Sequence, residues 1–158
     1  MCIIVDINVA SQVLIHQSSD YMHIRDVLLV KRSNQLVYGG KLGREYIKNN
    51  EVRRLVSRMD AAGSARKIPD EEVDGEAKAP LLLSVCVSDD QHIIALARIS
   101  GARILCSEDS DLCKDFKNPR LISNPRGNVY KRGSHRPIVG QKCRYCKKHR
   151  TMLPCCDS

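Results

Sequence analysis

The chain is poor in aromatics: its 158 residues include one Phe, no Trp and five Tyr. That excludes a core of stacked rings, so the interior must be filled by Leu, Ile, Val and Ala. Long hydrophobic runs are missing as well. APLLLSVCV (79–87) is about the longest, well short of the ~20 residues a membrane-crossing helix needs. The opening MCIIVDINV has no basic stretch and carries an acid at position 6, unlike a secretory leader. These absences predict a soluble, cytoplasmic chain without a membrane partner.

A third scarcity is local. Residues 1–116 carry 15 Lys/Arg and 17 Asp/Glu, a net of −2, whereas residues 117–158 carry 11 Lys/Arg and a single acid, Asp157, a net of +10. The formal net charge of +8 therefore sits in the C-terminal third. A near-neutral body with a basic end suits a polyanionic partner such as RNA. Of the eight cysteines, Cys2, Cys86, Cys106 and Cys113 lie in or beside apolar segments, where reduced Cys acts as a small hydrophobe. Cys143, Cys146, Cys155 and Cys156 cluster near the end.

What is present alternates. CIIVD (2–6) reads as a buried parallel strand. Residues 8–18 and 20–30 have helical apolar spacing. QLVYGG (35–40) reads as a strand with a Gly-Gly turn, and 41–61 as one long helix. Residues 61–80, with two Gly, two Pro and five acids, read as a loop. SDDQHIIALARISG (88–101) reads as a helix capped by Ser88 and stopped by Gly101. ARILCS (102–107) and RLISNP (120–125) read as further strands. Strand–helix alternation predicts an α/β fold layered around a mainly parallel sheet.

Four acids then fall at telling places. Asp6 ends the first strand, Glu45 lies one turn into the long helix, Asp90 is at the start of the capped helix, and Asp109 follows ARILC. In a parallel sheet, strand C-termini and the helix N-termini after them share the ligand-binding edge. Taken singly, each acid has an ordinary explanation. Asp89 and Asp90 suit a helix dipole, and Glu45 suits an i,i+4 pair with Lys41. Taken together, carboxylates converging without a basic partner suit a hard divalent cation, Mg²⁺ or Mn²⁺. Such an ion activates water and neutralises charge on a phosphodiester. His92, two residues beyond Asp90 in a helix, is expected on a different face.

These segments resemble a family. MCIIVDIN is similar to the strand–Asp–x–Asn opening of PIN-domain nucleases. YGGKLGREY is similar to the segment with their helical Glu, SDDQHIIALA to their Asp-led helix, and ILCSEDSDL (104–112) to their strand–[Thr/Ser]–x–Asp–x–Asp segment. The resemblance covers about residues 1–130 and departs at Ile7, where Thr is common. It implies a three-layer α/β/α sandwich and a metal-dependent endoribonuclease, as in the toxin half of many toxin–antitoxin pairs. By position, Asp6, Glu45, Asp90 and Asp109 would be the Mg²⁺ or Mn²⁺ ligands and the catalytic acids. Asn8 and Ser107 would support Asp6 and the metal, and Asp111 would stand behind them.

The expected organisation is a PIN-like domain over 1–133 and a basic, Cys-containing tail over 134–158. In the tail, CRYCKKH brings Cys143 and Cys146 into Cys-x₂-Cys spacing, and His149 and Cys155 or Cys156 would complete a structural Zn²⁺ site; the alternative is a disordered basic tail with free thiols. Lys131, Arg132, Arg136, Lys147, Lys148 and Arg150 are candidate phosphate contacts, with Tyr130 and Tyr145 as stacking surfaces. The rival reading is a PIN-like RNA-binding adaptor that cleaves weakly or not at all and acts through this tail. A small antitoxin presenting an Arg to the carboxylates and a second copy of the chain are the protein partners considered.

Overall fold

The computed structural model describes residues 2–140. The first strand, β1 (Cys2–Val5), is buried at every position, which its unbroken aliphatic run dictates for a strand covered on both faces. Helix α1 (Ile7–Ala10) runs into a wider π-helical turn over Ser11–Ile15. A 3₁₀ turn (Ser19–Tyr21) leads into α2 (Met22–Arg25) and a second π-helical turn, Asp26–Val30. Strand β2 (Gln35–Gly39) then enters α3 (Gly40–Lys48), followed by α4 (Asn50–Ala61). Next come β3 (Ala65–Ile68), α5 (Asp70–Ala77), α6 (Pro80–Val85) and α7 (Gln91–Ser100). The chain closes with β4 (Ile104–Cys106), α8 (Ser110–Lys117), β5 (Asn128–Tyr130) and a 3₁₀ segment, Gly133–Gly140.

All strand pairs are parallel, in a five-stranded sheet of order β3-β2-β1-β4-β5. The chain steps outward from β1 through β2 to β3, then returns to the other side of β1 for β4 and β5. Between β1 and β4 the direction of winding reverses, which opens a crevice at their C-terminal ends. Helices α3, α5 and α7 pack on one another, with α7 against β1 and β2; α1, α2 and α4 gather around the Ser11–Ile15 turn. The result is an α/β fold compatible with a three-layer sandwich. Among the described residues, no helix is long and apolar enough to cross a membrane.

Three sequence expectations need correcting. Residues 41–61 are two helices, because Asn49 caps a new one: its Oδ1 accepts from the Glu51 and Val52 amides, both at 3.1 Å. Residues 61–80 are not a loop. They hold β3 and α5, and β3 was masked by Arg66 and Lys67, the cations that an edge strand tolerates. The last strand is Asn128–Tyr130 rather than 120–125, which lie in turns.

The Gly-Gly turn after β2 is required by close packing. A Cβ on Gly39 would lie 2.3 Å from the Ile68 carbonyl oxygen, and one on Gly40, at φ +57, would lie 2.7 Å from Val73 Cγ1. The turn launches α3 tight against α5, which fixes where Glu45 arrives. Beyond β5, Val139 is buried and Ile138 packs against the core. Among the described residues, Cys86, Cys106 and Cys113 are free thiols.

Candidate metal centre

Asp6 leaves β1 at the point where the sheet reverses direction, and it is 4 % exposed. Its amide donates to the Cys106 carbonyl at 2.9 Å, extending the β1–β4 ladder by one rung. Its Oδ2 accepts from the Ser107 hydroxyl at 2.8 Å. The same hydroxyl oxygen accepts from the Asp109 amide at 3.1 Å. Ser107 thus links the acid after β1 to the acid after β4. Asp109 caps α8, with Oδ1 accepting from the Leu112 amide at 2.8 Å. These three residues form a hydrogen-bonded unit at the switch point.

Glu45 arrives from helix α3 and Asp90 from the loop that leads into α7, and the two are held differently. Tyr46, next to Glu45, is 2 % exposed and donates its hydroxyl to the Val5 carbonyl oxygen, tying α3 to the end of β1. The Glu45 carboxyl is raised above its ordinary pKa, first by burial and then by the charges of Asp6 and Asp90, with Lys41 opposing. The Asp90 carboxyl is also raised, by burial and then by Asp6, with smaller contributions from Asp109 and Asp89 and Lys41 again opposing. Glu45 lies within reach of the charges of Asp6 and Asp90, and Asp90 within reach of Asp6 and Asp109, so these acids neighbour one another at one sheet edge.

His92 stands between Glu45 and Asp90. Its Nε2 is 3.7 Å from Glu45 Oε2 and its Nδ1 is 3.9 Å from Asp90 Oδ1. Burial, reinforced by the Lys41 and Arg44 cations, pulls its pKa down to about 4, so it separates the carboxylates as a neutral ring. The expectation that it faces elsewhere fails because helix α7 begins at Gln91. Asp90 is the flanking residue and its side chain caps nothing, so helical spacing does not relate it to His92.

Ser88 is likewise not the helix cap. Its hydroxyl donates to Asp115 Oδ2 at 2.8 Å and accepts from the Asp90 amide at 3.4 Å. Asp115, 1 % exposed, also accepts from the Ser88 amide at 2.8 Å and the Val87 amide at 3.0 Å. This buried carboxylate anchors the loop that delivers Asp90. Nothing near Asp115 in sequence marks it, since its partners lie 27 and 28 residues away.

Other predicted residues are elsewhere. Asn8 is exposed and makes no hydrogen bond to Asp6 among the described residues. Asp111 faces outward, paired with Lys114 at 2.8 Å, and does not stand behind the centre. Tyr130 is fully buried, 6.3 Å from Tyr21 between ring centroids, so it offers no stacking surface. Lys131 and Arg132 follow β5 on the same sheet edge as Asp6, and Arg132 and Arg136 are exposed. Cys143, Tyr145, Cys146, Lys147, Lys148, His149, Arg150, Cys155 and Cys156 lie outside the described residues.

Among the described residues, no three His, Cys, Asp or Glu side chains close around a single point as they stand. The donor set nonetheless suits a hard divalent cation: all four acids are oxygen donors, and the Glu45 and Asp90 carboxyls are raised by burial and, secondarily, by neighbouring acids whose charge a cation would offset. Asp6 and Asp109 are fixed by hydrogen bonds, and Glu45 and Asp90 would complete the set that holds the ion. Compared with known proteins, the chain matches no family model, and no curated protein or solved structure matches it.

Proposed function

We propose that the chain is a metal-dependent endoribonuclease of PIN-like type. The observation that carries the reading is the gathering of Asp6, Glu45, Asp90 and Asp109 at the reversal point of a parallel sheet, with the Glu45 and Asp90 carboxyls raised partly by their neighbours' charge. A bound Mg²⁺ or Mn²⁺ would supply an activated water and neutralise charge on the scissile phosphate. The chain's own part is to hold that charge in place. Ser107 fixes one oxygen of Asp6, Asp109 is fixed through its own amide and its cap, and His92 keeps Glu45 and Asp90 apart without adding charge. RNA is favoured as substrate by the basic C-terminal third. A small protein that inserts an Arg among the four acids would silence the centre, as an antitoxin does.

The test is cleavage of single-stranded and structured RNA, with matched DNA, in Mn²⁺. Wild type is expected to cut RNA, and Asp6→Asn and Asp90→Asn are each expected to lose cutting. Cleavage confined to DNA would change the substrate class. A wild type that binds RNA without cutting, or variants that cut equally well, would remove the nuclease reading in favour of an RNA-binding adaptor.

A further inference from the structure

A recess of about 340 Å³ adjoins the acidic centre. Two of its wall residues belong to both places. His92 touches Glu45 and Asp90, and Lys41 reaches Glu45 Oε1 at 3.9 Å. The rest of its charged wall comes from α3, the α5 end and the loop before α7: Arg44, Asp74, Lys78 and Asp89. Three cations therefore face two acids. Asp74 is committed to Arg44, which holds it in a two-pronged pair at 2.9 and 3.0 Å. That leaves Lys41 and Lys78 against Asp89. Lys78 is exposed and makes no ion pair among the described residues. Lys41 has only a long, half-exposed contact with Glu45.

Lys41 also has a distinct electrostatic position. Its charge bears on Glu45, Asp90 and His92 together. A polyanionic strand approaching four carboxylates is repelled, and a divalent ion offsets that only at the phosphate it touches. The neighbouring phosphate needs cations of its own. Lysines on flexible stems are suited to follow it as point charges, and Lys41 gives up little when it leaves Glu45, since exposed pairs of this kind contribute little.

We propose that the Lys41–Lys78 recess is a subsite for the backbone phosphate next to the one at the carboxylates, so that a single strand leaves the centre past His92 and over the α3–α5 groove. This rests on the nuclease reading and adds a direction to it. A different groove, of about 630 Å³ and lined by Ile7, Glu45, Lys48 and Asn50, lies on the other side of Glu45 and serves as the control.

The experiment measures the binding of a short fluorescent single-stranded RNA to the full chain in EDTA, as a function of KCl concentration. Removing both lysines from the one phosphate they hold should lower the slope of log affinity against log salt by about 0.7. The Lys41→Gln/Lys78→Gln double variant is expected to show that fall, Lys41→Arg/Lys78→Arg to keep the wild-type slope, and Lys48→Gln to leave it unchanged. An unaltered slope in the double glutamine variant, or an equal fall per residue in Lys48→Gln, overturns the subsite. If wild type still cuts RNA in Mn²⁺ in that case, the nuclease reading stands without it. If wild type neither binds nor cuts RNA, both fall.

Discussion

The two sides of the acidic centre are built on different principles. On the strand side, Asp6, Ser107 and Asp109 are locked by hydrogen bonds of 2.8 to 3.1 Å that span the β1–β4 junction. On the helix side, Glu45 and Asp90 are positioned by the elements that carry them, with His92 at 3.7 and 3.9 Å and no direct hydrogen bond between the three. The strand side is preorganised and needs nothing further. On the helix side the Glu45 and Asp90 carboxyls are raised, first by burial and then by neighbouring acids. Were a divalent cation held here, the strand side would offer it fixed oxygens and the helix side less constrained ones.

The largest expected effect comes from cutting the anchor of the helix side. Asp115→Ala leaves the Val87 and Ser88 amides and the Ser88 hydroxyl without their buried partner. The expected cost is about 3 kcal/mol, read from urea unfolding midpoints. A variant as stable as wild type would show that the loop before α7 is not held by this carboxylate.

Ser107→Ala attacks the strand side and should cost less, about 1.5 kcal/mol, because Asp6 keeps its backbone rung to Cys106. Its sharper signature is in function: Mn²⁺-dependent cutting should fall at least tenfold because the link between Asp6 and Asp109 is gone. Ser107→Thr should restore cutting, since it returns the hydroxyl.

The smallest effect has the opposite sign. Glu45 and Asp90 bind protons more tightly folded than unfolded, so their ionisation opposes folding. Stability is lost as pH rises through the carboxylate range to their raised folded values, stays lost above them, and returns as pH falls. Without divalent ions, Asp90→Asn should therefore be more stable than wild type at neutral pH, by about 1 kcal/mol, with the gain shrinking in acid. His92 works the other way: it is neutral when folded, so its contribution is lost as pH falls from about 6.5 toward about 4. The Asp90 effect is accordingly read as variant minus wild type across one pH series. A variant less stable than wild type at neutral pH would mean that Asp90 makes favourable contacts that outweigh the repulsion.

Much of this was legible in the sequence where one local signal sufficed. The unbroken aliphatic run of β1, the Gly-Gly turn after β2 and the Gly101 stop of α7 each follow from chemistry within a few residues. So do the places of Asp6 and Asp109, because strand ends of a parallel sheet share an edge. Strand β3 was hidden by the cations of an edge position. The break at Asn49 carried a readable signal, an Asn two and three residues ahead of the amides it caps. His92 was misplaced by starting α7 too early. Asp115 was beyond reach, since its role exists only once a chain segment folds over it.

The bond between Ser107 and Asp6 joins residues 101 positions apart. During synthesis, Asp6 leaves the ribosome long before its partner has been translated, and the central strand β1 waits for β4 to occupy its open flank. Contacts of such separation form late, because the intervening chain must first be ordered. A nascent chain therefore carries the acids without the centre, and whatever chemistry the centre performs begins only with the finished fold.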